Sequence, residues 1–302
     1  MKLAKIKVAI LGSGNIGADL CERLLTDNEF EVVALVGRRE KSPGLQRFAE
    51  KVKYIYPKGI DAFLEIVDEV EGVFDATSAF SHKEHWNALR SRKKWMIDLT
   101  PSKIGTPIVP ELLGRVANMQ MSEDLVANYS MVTCGGQSSA PLLHAISTHS
   151  TGVTEVEVSS SIASLSAGPA TRKNIDQYIQ STENLVTLIT GCSAVKSILV
   201  LNPADPPVMM RTTVQMRVKS CDIEATRAEA RTTVARIQRY VPGYDIVVEP
   251  HLRDSDLVSA TAKVTGAGYF LPPYAGNLDI INAAAVETAR IHASNFQGGG
   301  KG

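Results

Sequence analysis

The sequence predicts an α/β protein in two parts, a parallel sheet wound from βαβ units followed by an α+β part. Three observations carry that reading. The 302 residues exceed a typical domain of about 150 and leave enough chain to bury a sizeable core in each part. Up to residue 133, short β-rich apolar runs alternate with helical patterns, as they do where parallel strands are joined by crossover helices. From Cys134 onward, longer alternating strands are separated by amphipathic helices, which suits helices packed on one face of an antiparallel sheet.

Taken in order, residues 8–11 read as the first strand and 17–25 as the helix after it, with further strands at 32–36, 73–76 and 96–99. In the second part, 154–162 alternate as a long strand and 172–190 read as a helix. Strands follow at 197–201 and 210–218, then a charged helix at 222–240 and strands at 246–249 and 257–264. After the Pro272-Pro273 break, 278–292 read as a last helix returning to the first part. The expected division is 1–133 plus the returning segment 274–302, and 134–273, with 298–302 a frayed tail.

Composition excludes several functions. Lys+Arg (32) cancel Asp+Glu (32), so no basic field is present to hold nucleic acid or an anionic membrane. Nowhere do 18 apolar residues run together, and the N-terminal apolar run stops at Gly12, short of a signal-peptide core. The expected compartment is the cytoplasm. Cys21, Cys134, Cys192 and Cys221 include no Cys-x-x-Cys pair, so neither a disulfide framework nor a metal site is expected, and each cysteine reads as a reduced thiol.

Gly12-Ser13-Gly14-Asn15-Ile16-Gly17 is a G-x-G-x-x-G string placed between the first strand and its helix. Gly12 permits a tight turn, Gly14 lets the backbone approach a pyrophosphate, and Gly17 allows close helix packing. The position makes it a Rossmann dinucleotide loop. At the end of the second strand, where an NAD-binding fold presents an acid to the ribose, stand Arg38 and Arg39. Two guanidiniums suit a 2′-phosphate, so NADP is expected over NAD.

Cys134 lies in Met131-Val132-Thr133-Cys134-Gly135-Gly136-Gln137, before a helix expected to carry Pro141 in its first turn. A helix N-terminus favours thiolate, and the glycines leave backbone amides open to a developing oxyanion. The other three cysteines lack such a frame and read as packing residues. His82 and His85 read as a polar helix start facing solvent, and His144 as a core or surface residue, so no general base is assigned.

These stretches, with Phe74-Asp75-Ala76-Thr77-Ser78-Ala79, Ile97-Asp98-Leu99-Thr100-Pro101, Ser166-Ala167-Gly168-Pro169, Asn174-Ile175-Asp176, Asn202-Pro203-Ala204-Asp205-Pro206-Pro207 and Tyr274-Ala275-Gly276-Asn277-Leu278-Asp279-Ile280, run in order across almost the whole chain. Together they resemble the acylating acetaldehyde dehydrogenases, which interconvert an aldehyde plus coenzyme A with an acyl-CoA. The resemblance implies a second domain that is catalytic and dimerising, Cys134 as acyl-thioester nucleophile and coenzyme A as co-substrate. It implies dinucleotide contacts from Ser13 to Ile16, from the segment containing Ser166, Ala167, Gly168, Pro169 and Asn174, and from Asn277. It also implies a homodimer and, as the family's partner, a pyruvate-type aldolase. The sequence departs from the family at Thr212, where an Asp that assists the thiol is usual, and in a shorter segment between Tyr244 and Tyr274. Two other readings stay open at this stage: an acyl-phosphate reductase of the semialdehyde dehydrogenase type, and a catalytically inert nucleotide-binding sensor.

Overall fold

A computed structural model describes residues 4–297. The first part comprises β1 (Ile6–Leu11), α1 (Asn15–Thr26), β2 (Phe30–Val36), α2 (Pro43–Phe48), β3 (Tyr54–Tyr56), β4 (Gly72–Asp75), α3 (Ala79–Arg90), β5 (Trp95–Asp98), β6 (Thr106–Pro107) and β7 (Asn128–Ser130). Its seven strands form one sheet in the order β3-β2-β1-β4-β5-β7-β6, with every pair parallel. Such a sheet is covered on both faces, which is why its central strands read as continuous apolar runs. Val8 and Ile10 enter one core, while Ala9 and Leu11 enter another with Val33, Val73 and Met96.

The second part contains α4 (Cys134–Thr148), β8 (Ser150–Thr151), β9 (Glu155–Ala163), α5 (Pro169–Lys173), α6 (Ile175–Thr190), β10 (Val195–Asn202), β11 (Met210–Arg217), β12 (Ser220–Cys221), α7 (Ile223–Ile237), β13 (Tyr244–Leu252) and β14 (Leu257–Val264). Its main sheet runs β10-β9-β11-β14-β13, and β8 pairs with β12 separately. The expected antiparallel sheet is corrected here to a mixed one. Crossover through α5 and α6 brings β10 back parallel to β9, while the other pairs are antiparallel. Val158, Val214, Met216 and Ala260 are buried on its inner face, against which α4 packs. The expected helix 172–190 breaks at Asn174, whose backbone (φ −121°) leaves the helical region.

The last helix, α8 (Gly276–Gln297), packs against α1 and β5 of the first part and against α4 and β14 of the second. Helix α4 also corrects an expectation: Pro141 lies in its interior, about two turns in. The helix starts early because Thr133 caps it, its hydroxyl accepting from the Gly136 N–H at 2.9 Å. Among the described residues no helix is long and apolar enough to cross a membrane. The expected tail at 298–302 lies outside the described residues.

Candidate active site

Strands β1 and β4 are neighbours, and the chain leaves them in opposite directions, toward β2 and toward β5. Ligands of open α/β sheets bind in the crevice above such a pair. Gly12 makes the turn there at φ +107°, and a Cβ on it would stand 2.5 Å from the Ala76 carbonyl oxygen. A Cβ on Gly17 would stand 1.9 Å from the Gly12 carbonyl oxygen, whereas one on Gly14 would meet nothing within 4 Å. The outer glycines therefore serve the fold, and Gly14 keeps the crevice open. Gly14 is also the N-cap of α1 and offers no side-chain cap, so the first-turn amides from Asn15 to Gly17 stay open to an anion.

The crevice has a volume of about 450 Å³ and is lined by Gly12, Ser13 and Gly14, with Arg38 and Arg39 at its rim. Both arginines are exposed, and neither forms an ion pair among the described residues. The rim carries mixed charge, with Lys58 beside the arginines and Asp61 and Glu84 opposing them. Ser13 is tied down by a hydroxyl–hydroxyl bond to Ser42 at 2.7 Å.

A second cavity, of about 120 Å³, brings Ile16 of the glycine string together with Cys134, Asn174, Tyr178 and Asn277. Cys134 is the first residue of α4. Two residues earlier, Val132 sits at φ +59°, a strained conformation for a β-branched side chain, held by a bond from its N–H to the Ser130 hydroxyl. The sulfur lies deep enough that burial pushes the Cys134 thiol up to about 11, although Tyr178 and the N–H groups of Gly135 and Cys134 pull it down. The expected low thiol pKa is thus corrected. In an uncharged cavity, desolvation of the thiolate outweighs the helix end. Asn277 is almost fully buried, and among the described residues its Oδ1 has no hydrogen-bond partner.

Of the expected segment after β9, Asn174 reaches the cavity, together with Thr171. Ser166 and Ala167 are buried and do not line it, the Ser166 hydroxyl donating to the Ala163 carbonyl and the Arg172 side chain to the Ala167 carbonyl. Gly168 caps α5 with open space around its Cα, and Pro169 is the first residue of that helix. Thr212 is buried in β11, its hydroxyl 3.1 Å from that of Ser160.

The solvent-facing reading of His82 and His85 is overturned. His82 is fully buried, with Nδ1 3.0 Å from Asp75 and 3.4 Å from Asp98, and His85 Nδ1 lies 2.9 Å from Asp75. Helix α3 starts directly over the ends of β4 and β5, so its first turns drop onto carboxylates that the sheet carries there. Burial opposes charge on His82, but Asp75 and Asp98 outweigh it and raise its pKa. Burial likewise opposes charge on Asp75, yet the two histidines hold it down at about 2, whereas burial drives Asp98 up to about 6. Sequence reasoning missed this cluster and Tyr178. The signal available for the cluster was an aspartate ending each of two adjacent strands.

Residues 134–272 match the family described as prokaryotic acetaldehyde dehydrogenase, dimerisation, and residues 7–116 match the NAD binding domain of semialdehyde dehydrogenase. Acetaldehyde dehydrogenase of Pectobacterium atrosepticum is 44% identical over 294 residues, covering 96% of each chain. That of Geobacillus stearothermophilus is 42% identical over 290 residues, covering 95% of this chain and 96% of its own. Aspartate semialdehyde dehydrogenase II of Vibrio cholerae, solved in complex with ASA, shares the fold with a TM-score of 0.64 at 16% identity, covering 96% of this chain and 99% of its own.

Proposed function

The chain belongs to the acetaldehyde dehydrogenase family, and from that premise we propose that it interconverts an aldehyde plus coenzyme A with an acyl-CoA through a thioester on Cys134. The observation that carries the proposal is the meeting of Ile16, Cys134 and Asn277 in one cavity that continues the line of the dinucleotide loop. The residues fit a nicotinamide dinucleotide: Gly14 and the uncapped start of α1 suit its pyrophosphate, and the orphaned Asn277 Oδ1 suits the amino group of its carboxamide. When bound, the nicotinamide exchanges the hydride. Residues up to 133 with α8 form the dinucleotide-binding part in this reading, and 134–273 the catalytic part.

The thiolate of Cys134 adds to the aldehyde carbonyl carbon, and the N–H groups at the start of α4 face the charge that develops on oxygen. After loss of hydride the acyl group is held on the sulfur, and the sulfur of coenzyme A, its thiol proton released to solvent, takes the acyl group and returns the Cys134 thiolate. Burial raises the free thiol, and the Tyr178 hydroxyl with the N–H groups of Gly135 and Cys134 oppose that rise; a bound oxidised nicotinamide would add positive charge in the same sense. An acyl phosphate is disfavoured as substrate, because among the described lining of the Cys134 cavity no cation faces the dianion.

Arg38 and Arg39, free of ion pairs at the crevice rim, support a preference for NADP over NAD, and with NADPH the reductive direction is favoured. A homodimer through the second part accords with the matched dimerisation family and with the exposed Val247 and Val248 on edge strand β13. Acyl-CoA-dependent oxidation of NADPH and NADH, followed by absorbance across acyl chain lengths, tests the reading. Turnover with short acyl-CoA is expected. The double substitution Arg38→Asp/Arg39→Ala is expected to erase the NADPH preference, and an unchanged preference would remove these residues from cofactor choice.

A further inference from the structure

The Cys134 cavity holds one further chemical group in direct reach of the sulfur. The Tyr178 hydroxyl, from α6, lies 3.8 Å from Cys134 Sγ. Tyr178 is buried, and the Ser160 hydroxyl of β9 forms a side-chain hydrogen bond to it. Ser160 in turn lies 3.1 Å from the Thr212 hydroxyl of β11, and both are buried. Three elements thus deliver a row of hydroxyls that ends on the sulfur. Gly135 leaves room for it, since a Cβ there would stand 2.1 Å from the Tyr178 hydroxyl and 2.7 Å from that of Ser160.

We propose that Tyr178, held by Ser160 with Thr212 behind it, is a catalytic residue that donates its hydroxyl hydrogen bond to the Cys134 thiolate. The alternative role, a general base, fails on protonation state. Burial raises the Tyr178 phenol well above its ordinary value, so at working pH it keeps its proton and has only a hydrogen bond to give. The charged surroundings do not compete. Among the described residues lining the cavity, from α1, the ends of β4 and β5, α4, α5, α6 and α8, none carries a charge, and Tyr178 is the one titratable group beside Cys134 itself. A charge-assisted bond in such surroundings is worth more than in water, and it acts on the thiolate alone. It therefore lowers the thiol pKa and stabilises the sulfur again each time the thioester releases it. Thr212 completes the row with a neutral hydroxyl, so no carboxylate stands behind Ser160 to oppose the thiolate.

The proposal rests on Cys134 being the nucleophile, and its test is a thiol titration that needs no turnover. The rate of iodoacetamide alkylation at Cys134, followed by mass spectrometry of its peptide between pH 7 and 12, is compared in the wild-type protein, Tyr178→Phe and Ser160→Ala. Tyr178→Phe is expected to move the midpoint up by about one unit, a tenfold loss of rate at pH 7, and Ser160→Ala to move it up by less. Packing loss alone would lower the melting temperature without moving this midpoint. An unmoved midpoint in folded Tyr178→Phe overturns the proposal. Should that variant not fold, an unmoved midpoint in Ser160→Ala does so. Retention of activity by Cys134→Ala would instead remove the nucleophile reading, a result separable from either titration.

Discussion

Gly14→Ala adds one methyl group at a point where it meets no atom within 4 Å, on a backbone (φ −76°, ψ −172°) that alanine adopts freely. Loss of the glycine's unfolded-state entropy offsets the weaker N-cap, so stability is expected to change by no more than about 0.5 kcal/mol, or roughly 1–2 °C in Tm. The methyl projects into the crevice where a pyrophosphate must approach the α1 amides. Blocking even one charge-assisted hydrogen bond there costs about 1.5–3 kcal/mol, a rise of roughly 10- to 150-fold in Kd for the dinucleotide. Gly17→Ala and Gly12→Ala behave differently. Their added Cβ atoms collide with backbone at 1.9 and 2.5 Å, so each is expected to cost about 1–3 kcal/mol or more of stability. Thermal melts and calorimetric titration with NADP and NAD measure both quantities for all three variants. A Gly14→Ala protein that binds dinucleotide like the wild type would refute the assignment of this crevice, as would one that loses stability along with binding.

Removing His82 leaves Asp75 and Asp98 buried with less compensating charge, so His82→Asn is expected to destabilise the fold by about 3 kcal/mol in urea titrations. Because the folded pKa of His82 lies above its unfolded value, its contribution is full below about pH 6.5 and fades as pH rises through the folded value. The wild-type protein should therefore lose stability over that window by an amount that His82→Asn does not show. Protonated His82 carries N–H on both ring nitrogens, which calls for the Asn128 amide to turn its unpartnered Oδ1 toward Nε2; Asn128→Asp should then raise the His82 pKa further, read by NMR titration. Thr133→Ala removes the cap of α4 and a 2.7 Å hydroxyl pair with Thr182, for an expected loss of about 1–2 kcal/mol that Thr133→Ser restores.

Local signals wrote most of the first sheet and the position of Cys134. The glycine string marked its strand-to-helix turn because Gly12 takes a positive φ there and a Cβ on Gly17 would strike the Gly12 carbonyl, and Cys134 stood out because two glycines follow it at a helix start. What escaped depends on partners far apart in the chain. His82 and His85 look polar and exposed until β4 and β5 set Asp75 and Asp98 beneath them. Tyr178 sits in an ordinary helical pattern, and its meaning comes from Cys134 and Ser160 on two other elements. The parallel pairing of β9 with β10 escaped for a related reason, since strand alternation reports which face is buried but not the direction of the neighbour. The low thiol pKa expected at Cys134 came from the helix end alone, and the burial that reverses it is a property of the assembled cavity.

The proposed chemistry turns on a thioester at one sulfur. Incubating the protein with radiolabelled acetyl-CoA in the absence of dinucleotide, then quenching in acid and mapping peptides, reads that bond directly. One acetyl group per chain on the peptide containing Cys134, absent in Cys134→Ala and discharged by added coenzyme A, is the expected result. Label on another residue, or a Cys134→Ala protein that still reduces acyl-CoA, would contradict the account.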